Sequence, residues 1–105
     1  MDYVVNNIAT INDFLNHGFS WCDKDTVEKK EYVYNQDVIL RIIVDFSSNE
    51  ESEDPWIHTH LYDAHSGRNY VLYQEYGRNL VKEKVGKNYM RIMRKLEKDG
   101  LIKRV

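Results

Sequence analysis

Apolar and polar positions alternate most cleanly over residues 38–46, where Val38, Leu40, Ile42, Val44 and Phe46 share one parity. Ile39, Arg41, Ile43 and Asp45 share the other, so this segment reads as a central strand with its first set turned to the core. Residues 27–34 read as its hairpin partner through the turn Asn35-Gln36-Asp37. A second hairpin is predicted from 56–63 and 68–76 around Ala64-His65-Ser66-Gly67, with Gly67 supplying the positive φ of the turn and Asp63 opposing Arg68. Upstream, Ile8, Ile11, Phe14 and Leu15 recur at helical spacing after Asn7, a residue suited to capping, and Gly18 supplies the stop after which Phe19 packs back on Phe14. Downstream, Val81, Val85, Tyr89, Ile92 and Leu96 line one helical stripe with Met93 beside it. Gly100 ends that helix, Leu101 reaches back to Leu96, and residues 101–105 are expected to add a short edge strand. Gly86 either costs the helix about 1 kcal/mol or divides it in two.

These elements assemble as an α+β fold: an N-terminal helix, a four-stranded antiparallel sheet of two hairpins, and an amphipathic basic C-terminal helix packed across it. The 105 residues suit one domain, 1–105, with one core, and eight Tyr and two Trp speak against a disordered chain. Cys22 is the only cysteine, so no intrachain disulfide forms. The start of the chain lacks the pattern of a secretory leader, and the apolar run 38–44 is broken by Arg41 and far short of the ~20 residues of a membrane span. A soluble, cytoplasmic protein is expected.

Charge changes the picture. The whole chain carries −2, but from Arg78 to Val105 ten Lys and Arg face three acids, a net of +7, whereas the first 77 residues carry −9. Such a split points to an anionic partner for the basic part. Projected at about 100° per residue, Lys84, Lys87, Arg91, Arg94, Lys95 and Lys98 fall in one sector about 100° wide, clear of the apolar stripe and containing no acid. Solvated helix faces ordinarily mix signs, which makes this sector a candidate nucleic-acid contact; its competitor is a plain solvated surface, or docking on the acidic part of the same chain.

The run from Arg91 to Arg104, a basic helix closed by Gly100-Leu101-Ile102, resembles the point in winged-helix regulators where a recognition helix passes into the wing. With 79–85 as a short preceding helix and Gly86-Lys87-Asn88 as a turn, the resemblance implies a helix-turn-helix. It covers about a quarter of the chain. The first helix of such a fold is replaced by the strand expected at 68–76, so the family's fold is not carried over.

A second candidate surface lies on the second hairpin, where Trp56, His58, His60, Tyr62, Val71 and Tyr73 share a face opposite Ile57, Leu61, Tyr70 and Leu72. Exposed aromatics of this kind stack nucleobases or cover a protein partner; the alternative is a sheet face packed under a helix. His58 and His60 project together, but His65 lies in the turn about 16 Å farther along at 3.3 Å per residue, so the three do not share an ion. Two histidines alone would need Asp45, Glu75 or His17 as a further ligand, and no metal or cofactor is expected. Cys22 has no basic neighbour before Lys24 to activate it. Glu50, Glu51, Glu53 and Asp54 form an acidic loop suited to repulsion or to mimicry of a phosphate backbone.

The reading that follows is a small non-enzymatic binding protein that contacts nucleic acid, or a nucleic-acid-bound complex, through Lys84, Lys87, Arg91, Arg94, Lys95 and Lys98. The alternative is a protein-interaction or inhibitor module that uses the acidic loop or the face of Trp56, His58, His60, Tyr62 and Tyr73. Composition and size would suit an accessory protein of a phage or another mobile element, and a homodimer is compatible with the charge pattern. A small hydrolase using His58 and His60 is a distant third.

Overall fold

A computed structural model of the chain describes residues 3–47, 54–70 and 80–105. In chain order the elements are β1 (Tyr3–Val5), α1 (Ile11–Leu15), β2 (Ser20–Asp23), β3 (Thr26–Tyr34), β4 (Val38–Asp45), β5 (Trp56–Asp63), α2 (Leu80–Lys98) and β6 (Ile102–Arg104). Strands β2-β3-β4-β5 form a four-stranded antiparallel sheet, and β1 pairs with β6 in a separate two-stranded ladder.

The period-two pattern of β4 governs the sheet. Val38, Leu40, Ile42 and Val44 are buried, while Ile39, Arg41, Ile43 and Asp45 lie half-buried on the opposite side. Onto the buried side α2 brings Val85, Ile92, Met93 and Leu96, with Val81 and Tyr89 packed beside them. Each fully buried side chain of this size stabilises the fold by about 1.5–3 kcal/mol relative to exposure. Phe14 of α1 joins the same core with its ring edge-on to Phe19 at 5.1 Å and to Phe46 at 5.7 Å.

Both helices close in one way. Leu101 N–H bonds the Leu96 carbonyl at 3.0 Å and Gly100 N–H bonds that of Glu97 at 3.1 Å, with Gly100 at φ +81°. In α1, Phe19 N–H reaches the Phe14 carbonyl at 3.2 Å across Gly18, at φ +90°. These glycine-centred closures satisfy carbonyls that the helix ends would leave open and seat an apolar residue on the last turn.

Several expectations change. The cap of α1 is Thr10 rather than Asn7: its hydroxyl accepts from Asp13 N–H at 3.3 Å, while the Asp13 carboxylate accepts from Thr10 N–H at 2.8 Å. This reciprocal box starts the helix three residues later, and Ile8 is left 82% exposed. The strand that flanks β3 in the described sheet is β2, an exposed edge strand that the two-hairpin expectation did not contain. The β3–β4 hairpin stands as expected. For the second hairpin, the turn is present: Asp63 N–H bonds Arg68 O at 2.8 Å, Gly67 takes φ +73°, and Asn69 bridges Tyr62. The remainder of that expected strand, including Val71, Leu72 and Tyr73, lies outside the described residues. Helix α2 runs without a break through Gly86, which removes the helix-turn-helix. The expected terminal strand is β6, and its partner β1 carried no signal of its own.

Candidate functional site

The six bases of the α2 sector, Lys84, Lys87, Arg91, Arg94, Lys95 and Lys98, are all exposed. Their direction follows from the way the helix is seated. The buried stripe turns one side down, the Asn88 amide donates to the Val33 carbonyl at 2.8 Å, and the Tyr89 hydroxyl lies 3.3 Å from that of Thr59. By helical projection the basic sector is centred about 130° from the apolar one, so it leans toward one flank instead of pointing straight away from the core.

None of these six bases forms an ion pair with a described residue. Bases elsewhere do: Lys29 with Glu31 at 3.5 Å, Lys30 with Glu28 at 4.0 Å, Arg41 with Glu28 at 2.5 Å, and Arg104 with Glu97 at 3.1 Å. Lys29, Lys30 and Arg41 thus pair with carboxylates of the acid-rich part and Arg104 with one of α2, while the six bases of the sector face solvent.

The second predicted surface is also assembled. Trp56, His58, His60 and Tyr62 pair with Asp45, Ile43, Arg41 and Ile39, which puts them on the side of the sheet away from α2. The rings of Trp56 and His58 meet edge-on at 4.1 Å, and those of His60 and Tyr62 lie 5.4 Å apart. Tyr73 lies outside the described residues. Sequence reasoning missed that Tyr32 on β3, 57% exposed and paired with Ile39, extends this face; its parity opposite Val33 was the available signal. At the centre of the face, Arg41 Nε donates to Glu28 Oε2 at 2.7 Å, and its Nη2 lies 3.7 Å from Cys22 Sγ. Burial pushes the Glu28 carboxyl up, but the bonds and charge of Arg41 outweigh it and hold the group below the ordinary glutamate value. The aromatic face and the basic helix therefore occupy opposite sides of the sheet.

The histidines each meet a different neighbour. His58 packs on Trp56, His60 Nε2 bonds Asn69 Oδ1, and His65 Nε2 lies 2.9 Å from Asp37 Oδ1. Among the described residues, no three His, Cys, Asp or Glu side chains are grouped as a metal site would require. Among the described residues, the other carboxylates whose proton affinity is displaced also move downward, by contacts that build turns: Thr10 around Asp13, Ser47 around Asp45, and the N–H groups of Ser66 and His65 around Asp63. Asp54 is exposed, and the rest of the acidic loop, Glu50, Glu51 and Glu53, lies outside the described residues. No helix of the described residues is long and apolar enough to cross a membrane.

No family model, no curated protein and no solved structure matches this chain.

Proposed function

We propose that the chain is a non-enzymatic binding protein that meets nucleic acid, or a complex carrying it, through the basic sector of α2. The observation that supports this reading is the set of six exposed bases on one helix flank with no carboxylate partner among the described residues. Stabilisation of the helix itself accounts for only part of the set. The macrodipole favours Lys95 and Lys98 in the last turn, but its effect has faded by Arg91 and gives no reason for Lys84 or Lys87 near the opposite end. Contacts of this kind fall on phosphates, which position a protein without reading sequence.

A salt titration of binding to single- and double-stranded DNA and RNA tests the reading. Affinity should fall linearly with salt on logarithmic axes, with a slope near −5 on duplex DNA if all six bases meet phosphates. Lack of binding at low salt to any of the four overturns it. A second reading, a protein-interaction or inhibitor module, draws on the aromatic face, where Trp56 remains 46% exposed beside His58. Aromatic residues are enriched in the anchors of protein interfaces.

A further inference from the structure

A cleft of about 350 Å³ separates the basic flank of α2 from β3 and the end of α1. Arg91 and Lys95, one turn apart on α2, line one wall, and Lys29 of β3 lines the other. Lys29 belongs to the acid-rich part of the chain, and only the fold brings it to the helix. Its side chain is three-quarters covered, and its Nζ is held by the carbonyl of His17 at 3.3 Å and by Glu31 at 3.5 Å. An ammonium has three N–H donors, so one is left for a ligand after these two contacts.

The cleft also contains two carboxylates, Glu31 and Asp99. Glu31 is engaged by Lys29, and Asp99 faces His17 Nε2 at 3.9 Å. Arg91 and Lys95 have no such partner, so the uncompensated charge of the cleft is positive. A volume of this size lies at the lower end of ordinary ligand sites, larger than a bare contact needs and small enough to hold one anionic group among three cations. Arg94, at the edge of the sector farthest from the cleft, by contrast meets a ligand from one side only.

We propose that this cleft is a phosphate subsite, in which Lys29, Arg91 and Lys95 converge on one backbone phosphate of the nucleic acid that α2 meets. The assignment rests on the nucleic-acid reading and adds to it a residue outside the basic segment. Arg91 supplies a planar fork able to bind two phosphate oxygens, while the two lysines act as point charges.

The test is the nucleic-acid affinity of Lys29→Ala and Lys29→Arg beside Lys24→Ala, a change at an exposed base in the β2–β3 turn. Lys29→Ala should weaken binding about tenfold with a change of less than one in the salt slope, because Arg91 and Lys95 still hold the shared phosphate; Lys29→Arg should restore the affinity, and Lys24→Ala should leave it unchanged. In parallel, inorganic phosphate titrated into the full chain at low ionic strength should shift the backbone resonances of His17, Lys29, Arg91 and Lys95, and Lys29→Ala should remove that response. Nucleic-acid binding whose affinity Lys29→Ala does not change overturns the subsite and leaves the helix reading intact. A phosphate response in a chain that binds no nucleic acid overturns the helix reading and the identity of the ligand with it.

Discussion

The side-chain amide of Asn88 donates to the carbonyl of Val33 at 2.8 Å, at the place where β3 slips register against β4 between Tyr32 and Tyr34. A register slip interrupts the ladder, and a backbone carbonyl covered there needs another partner. The same bond fixes the rotation of α2 on the sheet, and with it the direction in which the basic sector points. Asn88→Ala should lower stability by about 1–3 kcal/mol, the cost of leaving a covered polar group unpaired, as measured by urea denaturation. An unchanged midpoint would show that solvent satisfies Val33 and that the bond does not seat the helix.

Reversing charge on the flank separates the two functional readings. Arg91 and Arg94 are exposed and form no ion pair with a described residue, so Arg91→Glu with Arg94→Glu should leave the circular dichroism spectrum unchanged while lowering nucleic-acid affinity at least a hundredfold. Retained binding by the folded double variant removes α2 as the contact surface.

Because the aromatic face lies across the sheet from α2, Trp56→Ala with Tyr32→Ala should change nucleic-acid affinity by less than about threefold, less than the loss of one stacked base brings. A loss of tenfold or more would move the contact to the sheet face. A protein partner lost on the same substitutions would favour the interaction-module reading.

The Glu28–Arg41 pair gives stability a pH dependence of defined sign. Glu28 in the folded chain holds its proton less tightly than in the unfolded chain, so its contribution is complete above the ordinary glutamate value of about 4.3 and is lost as pH falls through the lower folded value. Asp13, Asp45 and Asp63 act in the same direction. The denaturation midpoint should therefore fall between about pH 5 and pH 3. Arg41→Gln should lower the midpoint at neutral pH and make the acid decline shallower. Parallel profiles for the two proteins would show that the pair does not contribute to this decline.

Gly18 and Gly100 both hold positive φ where the helices close. At Gly100 an added methyl would meet nothing within 4 Å, so Gly100→Ala isolates the backbone cost, about 1–2 kcal/mol. At Gly18 it would lie 3.4 Å from Lys29 Nζ, so Gly18→Ala should cost at least as much and also disturb the phosphate response of the cleft. Equal stability of Gly100→Ala and the wild type in urea would contradict the argument.

What was legible in the sequence follows from how local each signal is. The strand β4 was readable because a period of two over eight residues has one consistent interpretation, and the buried stripe of α2 because four buried positions fit a period near 3.6. The α1 cap was misread because Asn7 and Thr10 are both capping residues; the three-residue spacing from Thr10 to Asp13 was the discriminating detail. Strands β1 and β2 were not readable, being three and four residues long with partners that local pattern does not reveal. Gly86 suggested a break, but Val85 and Tyr89 pack on the core on either side of it, and tertiary contact overrides a propensity cost of about 1 kcal/mol. The basic sector needed only the helical period, whereas Lys29 needed the fold.

The β1–β6 ladder, with Tyr3 opposite Arg104 and Val5 opposite Ile102, has a consequence for the order of assembly. It closes the largest loop in the molecule, and closure entropy must be met before such a remote pairing returns any stability. The sheet hairpins form from neighbours and can precede it, so the C-terminal end of α2 becomes fixed last during refolding. In pulsed hydrogen exchange, the Asn6 amide, bonded to the Leu101 carbonyl at 2.9 Å, should gain protection later than amides of the β3–β4 hairpin. Simultaneous protection would indicate that the two ends of the chain dock in one step with the sheet.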